Sequence, residues 1–454
     1  MRRLLLIVAL LAALAALLLA AGCGGGSSSS TSASPAASGT AHTPVTITVW
    51  HPWTNPEKQD FLSAVQGFHA KYPWITVKIV GFPQSDTFDQ QLIKAINTGN
   101  GPDVAISFGP DYVGQYAASG LWQDLKPYID QSGFQMSQFP QAALSYTSFE
   151  GKQVALPVLT DAYGLYYNRK LLAAAGYSGP PKTMSELADY AKKLTVRNPD
   201  GSIRIAGFVP LNNWEQLGPS DLSRAWGATW FDAQGQPHLA TDPGWAAALT
   251  WQKDLVDWYG YDDITKFYAT YEPSEFDASN AFQNGKVAMV FDGEWRTAFI
   301  KRYSPKLDYG TAPFPAADTA PDQYGTGRVG GTIVGMPKGC KQPEAAWQFM
   351  EYVSSDTAFL VQLANGLGNV PTTEPAASSP DLDLPPQFST FVQVWQNPKS
   401  DYSPPLTSSG AGYASLLNTF DEQWVAGKVP DLTAGLAKVD KQISDQLALG
   451  SQAP

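Results

Sequence analysis

The chain has 454 residues and carries 41 acidic against 30 basic side chains, which gives a formal net charge of −11. This acidic balance, without a run of Lys or Arg, argues against nucleic acid as a partner. Hydrophobic residues make up 44% of the chain, enough for a well-packed globular protein rather than a disordered one. A chain of this length is too large for one ordinary core and suits two or three domain-sized units.

The N-terminus has the layout of an export signal, because Arg2 and Arg3 precede an unbroken apolar run over 4–21. It resembles a bacterial lipoprotein leader, with Ala20 where Leu, Val or Ile is usual, and so predicts a signal peptide over 1–22 and lipidation of Cys23. The Gly/Ser-rich stretch over 23–43 is then a flexible tether to the cell membrane. A retained transmembrane anchor is the alternative. Either interpretation places the rest of the chain outside the cytoplasm.

The folded part opens with the pattern of a parallel sheet. Residues 45–50 alternate β-branched and other side chains, which predicts a strand. A capping-box pattern over 54–57, with Pro56 at the start, predicts a helix, and a second strand follows over 75–80. A strand, a helix and a strand within about forty residues form a βαβ unit, which implies parallel strands with helices on their faces.

The alternation of helices and strands continues along the chain. Helices are predicted over 88–97, 112–119 and 183–194, and strands over 103–108, 154–157, 164–167 and 287–291. The Pro-, Ser- and Thr-rich stretch over 371–386 is predicted to be a loop, after which helices dominate. These elements together predict an α/β protein.

Several predicted strands end in an aromatic residue, a carboxylate or both. In open parallel sheets, ligands bind at the carboxyl ends of the strands. The residues that follow predicted strands are Trp53, Phe108, Asp111, Asp161, Glu294 and Trp295. Aromatic rings that stack on a sugar face and carboxylates that accept its hydroxyl protons are the combination that carbohydrate needs. We therefore predict a carbohydrate site at this edge of the sheet.

Each of these candidates also has a purely structural interpretation. Trp214 and Trp230 are as well explained by core packing as by the site. Asp111 could cap the helix that begins at Tyr112, whereas Asp161 lies in no obvious cap. Trp53 is predicted to be a stacking platform over the cleft, so that its loss would weaken binding and leave folding nearly unchanged.

Enzyme signatures are poor. The sequence contains no His-Glu-x-x-His, no Gly-x-Ser-x-Gly and no phosphate loop. Residues 325–330 match a dinucleotide fingerprint in the wrong context and are predicted to form a glycine turn. Asp292 and Glu294 lie two positions apart and would point the same way, unlike a glycosidase pair. We predict a binding protein with no cofactor and no metal, with a secreted glycosidase as the alternative.

Several segments, in this order and spacing, resemble the bacterial extracellular solute-binding proteins of family 1, the sugar-binding lipoproteins of ABC importers. The segments are ITVWHPWT at 47–54, GPDV at 101–104, GLYYNRKLL at 164–172, AFQNGKVAM at 281–289 and KQPEAAW at 341–347. The resemblance implies two α/β lobes, each a mainly parallel sheet flanked by helices, which close on a ligand at the hinge. Lobe 1 would comprise 44–155 and 292–335, and lobe 2 would comprise 156–291 and 336–454.

The resemblance also implies site residues and partners. Carried over by position, the ligand-contacting loops include Trp53, Phe88, Phe108, Asp111, Asp161, Glu294, Trp295, Gly331, Asn369 and Tyr413. The implied partners are an oligosaccharide and the permease subunits of an ABC importer, with the chain itself a monomer. A glycerol-phosphate or polyol receptor is the alternative. It is less favoured because the predicted strand ends offer carboxylates, and Arg296 is the only Arg beside one.

Overall fold

The computed structural model describes residues 42–82, 85–271 and 276–450. The predicted signal peptide, Cys23 and almost all of the tether lie outside the described residues. Thr43–Pro454 form one compact unit. Within the described ranges, no helix combines the length and the apolar character needed to cross a membrane.

The predicted βαβ unit is confirmed at the start of this unit. Strand β1 (Val45–His51) pairs in parallel with β2 (Ile75–Gly81), and helices α1 (Glu57–Ala64) and α2 (Gln66–Lys71) connect them. Strand β3 (Val104–Ser107) pairs in parallel with the other side of β1. Helix α1 begins where predicted but has no side-chain cap, so the capping-box prediction at this position is wrong.

One long strand forms the centre of the sheet. The sequence predicted two strands over 154–157 and 164–167, but β6 (Ala155–Asn168) is continuous. Its first half pairs with β11 (Val329–Gly335) and β12 (Val370–Pro371), and its second half pairs with β9 (Met289–Gly293) and β10 (Tyr309–Ala312). All four pairings are antiparallel, a difference from the expected mainly parallel arrangement.

The remaining helices and strands surround this sheet. The helices are α3 (Ser85–Asn97), α4 (Val113–Ser119), α5 (Lys126–Ser132), α6 (Gln141–Leu144), α7 (Arg169–Ala174), α8 (Met184–Leu194), α9 (Pro219–Arg224), α10 (Pro243–Tyr259), α11 (Tyr261–Tyr271), α12 (Arg296–Tyr303), α13 (Pro343–Ser355), α14 (Thr357–Leu367), α15 (Glu374–Ala377), α16 (Ser389–Gln396), α17 (Ala414–Val425) and α18 (Leu432–Gly450). The short strands are β4 (Ser148–Phe149), β5 (Lys152–Gln153), β7 (Val196–Arg197) and β8 (Ile203–Ile205). Helix α8 begins with the predicted capping box, formed by Thr183 and Glu186.

Among the residues that the structure describes, buried side chains form four clusters. The first core packs α1, α13 and α14 on one face of β1 and β3, and the third cluster, around Phe88, Tyr116 and Tyr146, packs on the other face. The second core packs α8, α10 and α16 against the second half of β6 and β9. The fourth cluster, around Trp230, Trp245 and Tyr413, shares α10 with the second core. By this packing, α13 and α14 belong with β1, and β10 belongs with α8, unlike the lobe limits expected from sequence.

Candidate ligand-binding site at the centre of β6

Asp161 lies where the partners of β6 change. Asp161 and Ala162 face Gly330 and Val329 of β11, whereas the next residue, Tyr163, faces Gly293 of β9. Strands β11 and β9, which pair with different halves of β6, therefore end near this residue. Segments that adjoin the ends of these strands place their side chains close to Asp161. Asp161, the acidic residue that the sequence favoured most, thus lies halfway along the central strand β6.

Three of the predicted residues contact one another here. The Asn369 amide donates to Oδ1 of Asp161 at 2.8 Å and to Oε1 of Glu294 at 2.7 Å. The other Glu294 oxygen accepts from the Ala162 backbone N–H at 2.7 Å. Asn369 directly precedes β12 and Glu294 directly follows β9, so the strand ends fix both side chains. Asp161, Glu294 and Asn369 are called the acceptor cluster below.

Burial shifts the ionisation of both carboxyls. It raises the pKa of Asp161 to about 7, against the opposing effects of the Arg328 charge and the Asn369 amide. Burial, and then the Asp161 charge, raise the pKa of Glu294 well above its usual range. Two carboxyls that share one amide do not both ionise readily at neutral pH. Together they can accept hydrogen bonds from a ligand and, while one is protonated, also donate one.

Arg328 lies beside this cluster and was not predicted. Its guanidinium carbon is 3.8 Å from the centroid of the Tyr163 ring, and its Nε is 2.9 Å from a carboxylate oxygen of Asp221. A planar guanidinium favours both the stacked and the ion-paired position. Its side chain is 22% exposed. Arg328 is therefore held in one orientation while part of it remains open to solvent.

Trp295 supplies an aromatic surface next to Tyr163. The two rings meet edge to face, with centroids 5.5 Å apart, and Trp295 is only partly buried. Its indole Nε1 is buried without a hydrogen-bond partner among the described residues. A buried N–H donor without a partner is unfavourable unless something fills that role. Trp295 therefore presents part of its ring at the predicted position.

Phe108 and Asp111 follow β3 as predicted. Phe108 is 41% exposed and touches the Trp53 ring edge-on, with centroids 5.7 Å apart. The Asp111 carboxylate accepts from the Tyr402 hydroxyl. No side chain caps α4, so the helix-cap interpretation of Asp111 is wrong. Asp89 fixes the end of β3, just before Phe108, because its carboxylate accepts a hydrogen bond from the Ser107 hydroxyl at 2.8 Å.

The other predicted aromatic residues are core residues in this structure. Trp53 is 2% exposed and packs on Phe61 in the first core, with ring centroids 4.7 Å apart. Phe88 belongs to the third cluster and Trp214 to the second core. Trp230 and Tyr413 pack on each other in the fourth cluster, 5.2 Å apart. The expectation that Trp53→Ala would leave folding nearly unchanged is wrong, because removal of a buried ring leaves a cavity.

Gly331 has a structural reason to be glycine. Its φ is +138°, and a Cβ at this position would lie 2.1 Å from the carbonyl oxygen of Leu159 on β6. Strand β11 can approach the central strand this closely only without a side chain. Gly331 thus shapes the site through its backbone.

Sequence reasoning missed Arg328, Tyr163, Asp221 and Tyr402. Arg328 lies in the glycine-rich segment that was interpreted only as a turn, and the Arg two residues ahead of Gly330 was the available signal. Arg296, in contrast, is not open to a ligand. Its side chain is fully buried between Asp292 and Glu215, at 2.5 and 2.9 Å.

The fold is that of a two-lobed α/β binding protein. The model of the family of bacterial extracellular solute-binding proteins matches residues 53–358, and the chain belongs to this family. It is 25% identical over 398 residues to the maltotriose-binding protein of Pyrococcus abyssi, which covers 87% of this chain and 81% of that protein. It is 26% identical over 324 residues to the sn-glycerol-3-phosphate-binding protein UgpB of Escherichia coli K12, 67% of this chain and 68% of that one.

Solved structures show the same architecture. CpMnBP1 with bound mannotriose superposes with a TM-score of 0.77 at 27% identity, covering 88% of this chain and 100% of that one.

Proposed function

We propose that this protein is the substrate-binding subunit of an ABC importer and that it captures an oligosaccharide at the acceptor cluster. The observation that carries the proposal is the pair of carboxyls, partly buried Asp161 and fully buried Glu294, beside the partly exposed ring of Trp295. Sugar hydroxyls donate to carboxylates and sugar ring faces stack on indole. Relatives that bind maltotriose and mannotriose support the same ligand class.

The charges favour a neutral ligand over a phosphate. A phosphate needs an Arg whose donors are free for it. Arg328 is paired with Asp221 and stacked on Tyr163, and its charge also acts on Asp111 and Asp161. A dianion would therefore meet more carboxylates than cations. The similarity to UgpB makes glycerol 3-phosphate the ligand to test against.

We further propose that the two lobes hinge at about residues 160–163 of β6. The clusters of buried side chains suggest that the first lobe comprises about 44–159 and 330–377, because α13, α14 and α15 pack with β1 and α1. The second lobe then comprises about 161–328 and 378–450, because β9, β10 and α16 pack with α8 and α10. Closure of such lobes around a hinge would enclose the acceptor cluster.

The membrane anchor on Cys23 is part of the same proposal. The apolar run over 4–21 and the small residues before Cys23 support it. Radiolabelled palmitate should be incorporated into the wild-type chain and not into Cys23→Ser, which should be released from the membrane fraction. Labelling of the Cys23→Ser variant would show that the anchor is elsewhere.

Calorimetry tests the ligand class. Maltotriose, mannotriose and glycerol 3-phosphate are titrated into the purified protein, and at least one trisaccharide should bind with micromolar or tighter affinity. Asp161→Asn should weaken that binding by about tenfold or more, since a hydrogen bond to a charged acceptor is worth about 1.5–3 kcal/mol. Asp130→Asn, on an exposed face of α5, is the matched control.

Two results would contradict the proposal. Binding of glycerol 3-phosphate alone would replace the ligand class. Cleavage of a trisaccharide during the titration, abolished by Asp161→Asn, would make the protein a glycosidase.

A further inference from the structure

Residues 397–413, called the strap below, join α16 to α17 and contain Pro404 and Pro405. Both ends of the strap belong to the second lobe. At the start, the Ser400 hydroxyl donates to the Val394 carbonyl of α16 at 2.6 Å. At the end, Tyr413 is buried in the fourth cluster with Trp230. A segment anchored in this way would be expected to stay on the lobe that supplies both of its ends.

The middle of the strap instead lies on the first lobe. The Tyr402 hydroxyl donates to the Asp111 carboxylate, and the Ala411 N–H donates to the Asp111 carbonyl at 3.2 Å. Tyr402 and Leu406 pack against the third cluster, and the Tyr402 ring is 5.8 Å from that of Tyr146. These contacts come from α4, the loop before it and the segment before β6, all of which are first-lobe elements.

Gly114 of α4 shows how closely the strap approaches this helix. A Cβ on Gly114 of α4 would lie 2.1 Å from the carbonyl oxygen of Thr407. No side chain fits between the helix and the strap, because real Cβ atoms do not come within 3 Å of a backbone oxygen. The strap is therefore seated against the helix backbone itself.

Adjacent residues of the strap hold opposite lobes. Asp401 forms an ion pair with Arg224 of α9, and its carbonyl accepts from the Val329 N–H at 3.0 Å. Tyr402, the next residue, is bonded to Asp111. If the lobes hinge about β6, opening moves Asp111 away from α9, and one of these two contacts must break.

We propose that Tyr402 is an affinity-determining residue, because its bond to Asp111 latches the two lobes in the closed arrangement. The latch rests on the proposed hinge but not on the identity of the ligand. Apparent affinity is the intrinsic affinity scaled by the fraction of molecules in the binding-competent state. A contact that favours closure without a ligand therefore tightens binding and slows ligand release.

Hydrogen exchange of the ligand-free protein tests the latch without any sugar. The full chain, purified from membranes in detergent, is compared with Tyr402→Phe, Asp111→Ala and the double variant. Each single variant should speed amide exchange in the peptide that contains Ala411. The double variant should exchange no faster than either single variant, because both remove the same contact. Tyr128→Phe, which removes a hydroxyl bonded to Gln123 rather than to the strap, is the control.

The outcomes are separable from those of the function proposal. Unchanged exchange in Tyr402→Phe, or additive effects in the double variant, would overturn the latch whatever the ligand. If either variant fails to fold, Arg224→Gln releases the other side of the strap and should give the same faster exchange.

With maltotriose as probe, Tyr402→Phe should weaken binding about tenfold, mainly through faster dissociation, as expected for a change of about 1.4 kcal/mol. Tighter binding would show that the Tyr402 hydroxyl competes with the sugar for Asp111, and would overturn the latch.

Discussion

Two groups of charged side chains include residues near Trp295 in the chain, and they differ in charge balance. In the first, which we call the balanced network, the Arg296 guanidinium bonds to Asp292 at 2.5 Å and to Glu215 at 2.9 Å. Asp292 and Arg296 are completely buried. The cation directly joins the two carboxylates, and both are held in one geometry.

The acceptor cluster has two carboxyls and no cation of its own. Asp161 and Glu294 share a neutral amide, while the Arg328 guanidinium is ion-paired with Asp221. Asp292 and Glu294 are only two positions apart in the chain, yet they belong to different groups. Each group contains at least one buried carboxyl, and charge balance distinguishes the groups. The balanced network joins its carboxylates through a cation, whereas the carboxyls of the acceptor cluster are joined only by an amide.

Removal of the cation from the balanced network should have the largest effect. Arg296→Met leaves Asp292 and Glu215 buried without their common partner. Breaking a buried ion pair in this way costs about 3–5 kcal/mol. The free energy of unfolding, measured by urea denaturation, should fall by about that amount.

Lys301→Met provides the control for Arg296, because it changes a cation on the same helix, α12. Lys301 pairs with Asp383 at 3.0 Å with both side chains exposed, so its loss should change stability by less than ~1 kcal/mol. Replacing all three charges together, as Arg296→Met with Asp292→Asn and Glu215→Gln, should restore part of the loss. Equal losses for Arg296→Met and Lys301→Met would show that the network is not balanced as described.

Removal of Arg328 should reduce ligand affinity more clearly than stability, unlike removal of Arg296. Arg328→Met leaves one carboxylate, Asp221, without its ion-pair partner, and the Arg side chain is 22% exposed. We expect a loss of about 1–3 kcal/mol in the free energy of unfolding, below that of Arg296→Met. Binding of the trisaccharide should weaken by at least about tenfold, because Tyr163 and Asp221 lose the group that orients them. Calorimetry and urea denaturation on the same preparations give both numbers.

Arg328→Lys sharpens this result. Lys keeps the charge but cannot reproduce the planar stacking on Tyr163 together with the pair to Asp221. Stability should largely recover while affinity stays reduced. Full recovery of affinity in Arg328→Lys would mean that charge alone, and not the stacked geometry, matters at this position.

The sequence predicts which residues form the acceptor cluster better than it predicts the contacts between them. Asp161 and Glu294 were expected at the site because they follow predicted strands, and strand ends meet at one edge. Asn369 was expected only from the family resemblance. The pairing of Asn369 with both carboxyls could not be predicted, since it depends on how β9 and β12 flank the same strand. Arg328 was missed because it is a single charged residue within a glycine-rich segment that was interpreted only as a turn.

Aromatic residues were the least predictable part of the site. Trp53 and Trp295 both follow a strand and both lie beside Pro or Gly, so their local patterns are alike. Trp53 is buried against Phe61, whereas Trp295 stays partly exposed beside Tyr163. The difference arises from α1, which covers the end of β1. The continuity of β6 was missed for a related reason, because the strand's partners change halfway along it.

The smallest expected effect is the pH dependence that Asp161 gives to stability. Burial raises its folded-state pKa from 3.8 to about 7. Between these two values the folded chain keeps a proton that the unfolded chain has released. Stability therefore falls as the pH rises across this window and is constant above it. Asp161→Asn removes the titration, so the variant should gain stability relative to wild type as the pH rises from about 4 to 7.

Urea denaturation at four pH values between about 4.5 and 7.5 measures this difference, which should grow by on the order of 1–2 kcal/mol after screening of the partly exposed carboxyl. Asp318→Asn is the control. Hydrogen bonds from Ser185 lower the pKa of Asp318 below 3.8, so its contribution is lost only in more acidic solution and its difference should be flat in this window. Buried carboxyls that do not interact with Asp161, such as Asp421, titrate in wild type and variant alike and cancel. Loss of the Asp161 charge also lowers the pKa of Glu294, which adds to the difference in the same direction. A flat difference for Asp161→Asn would mean that this carboxylate is ionised at no cost. The acceptor cluster would then be as well balanced as the network around Arg296.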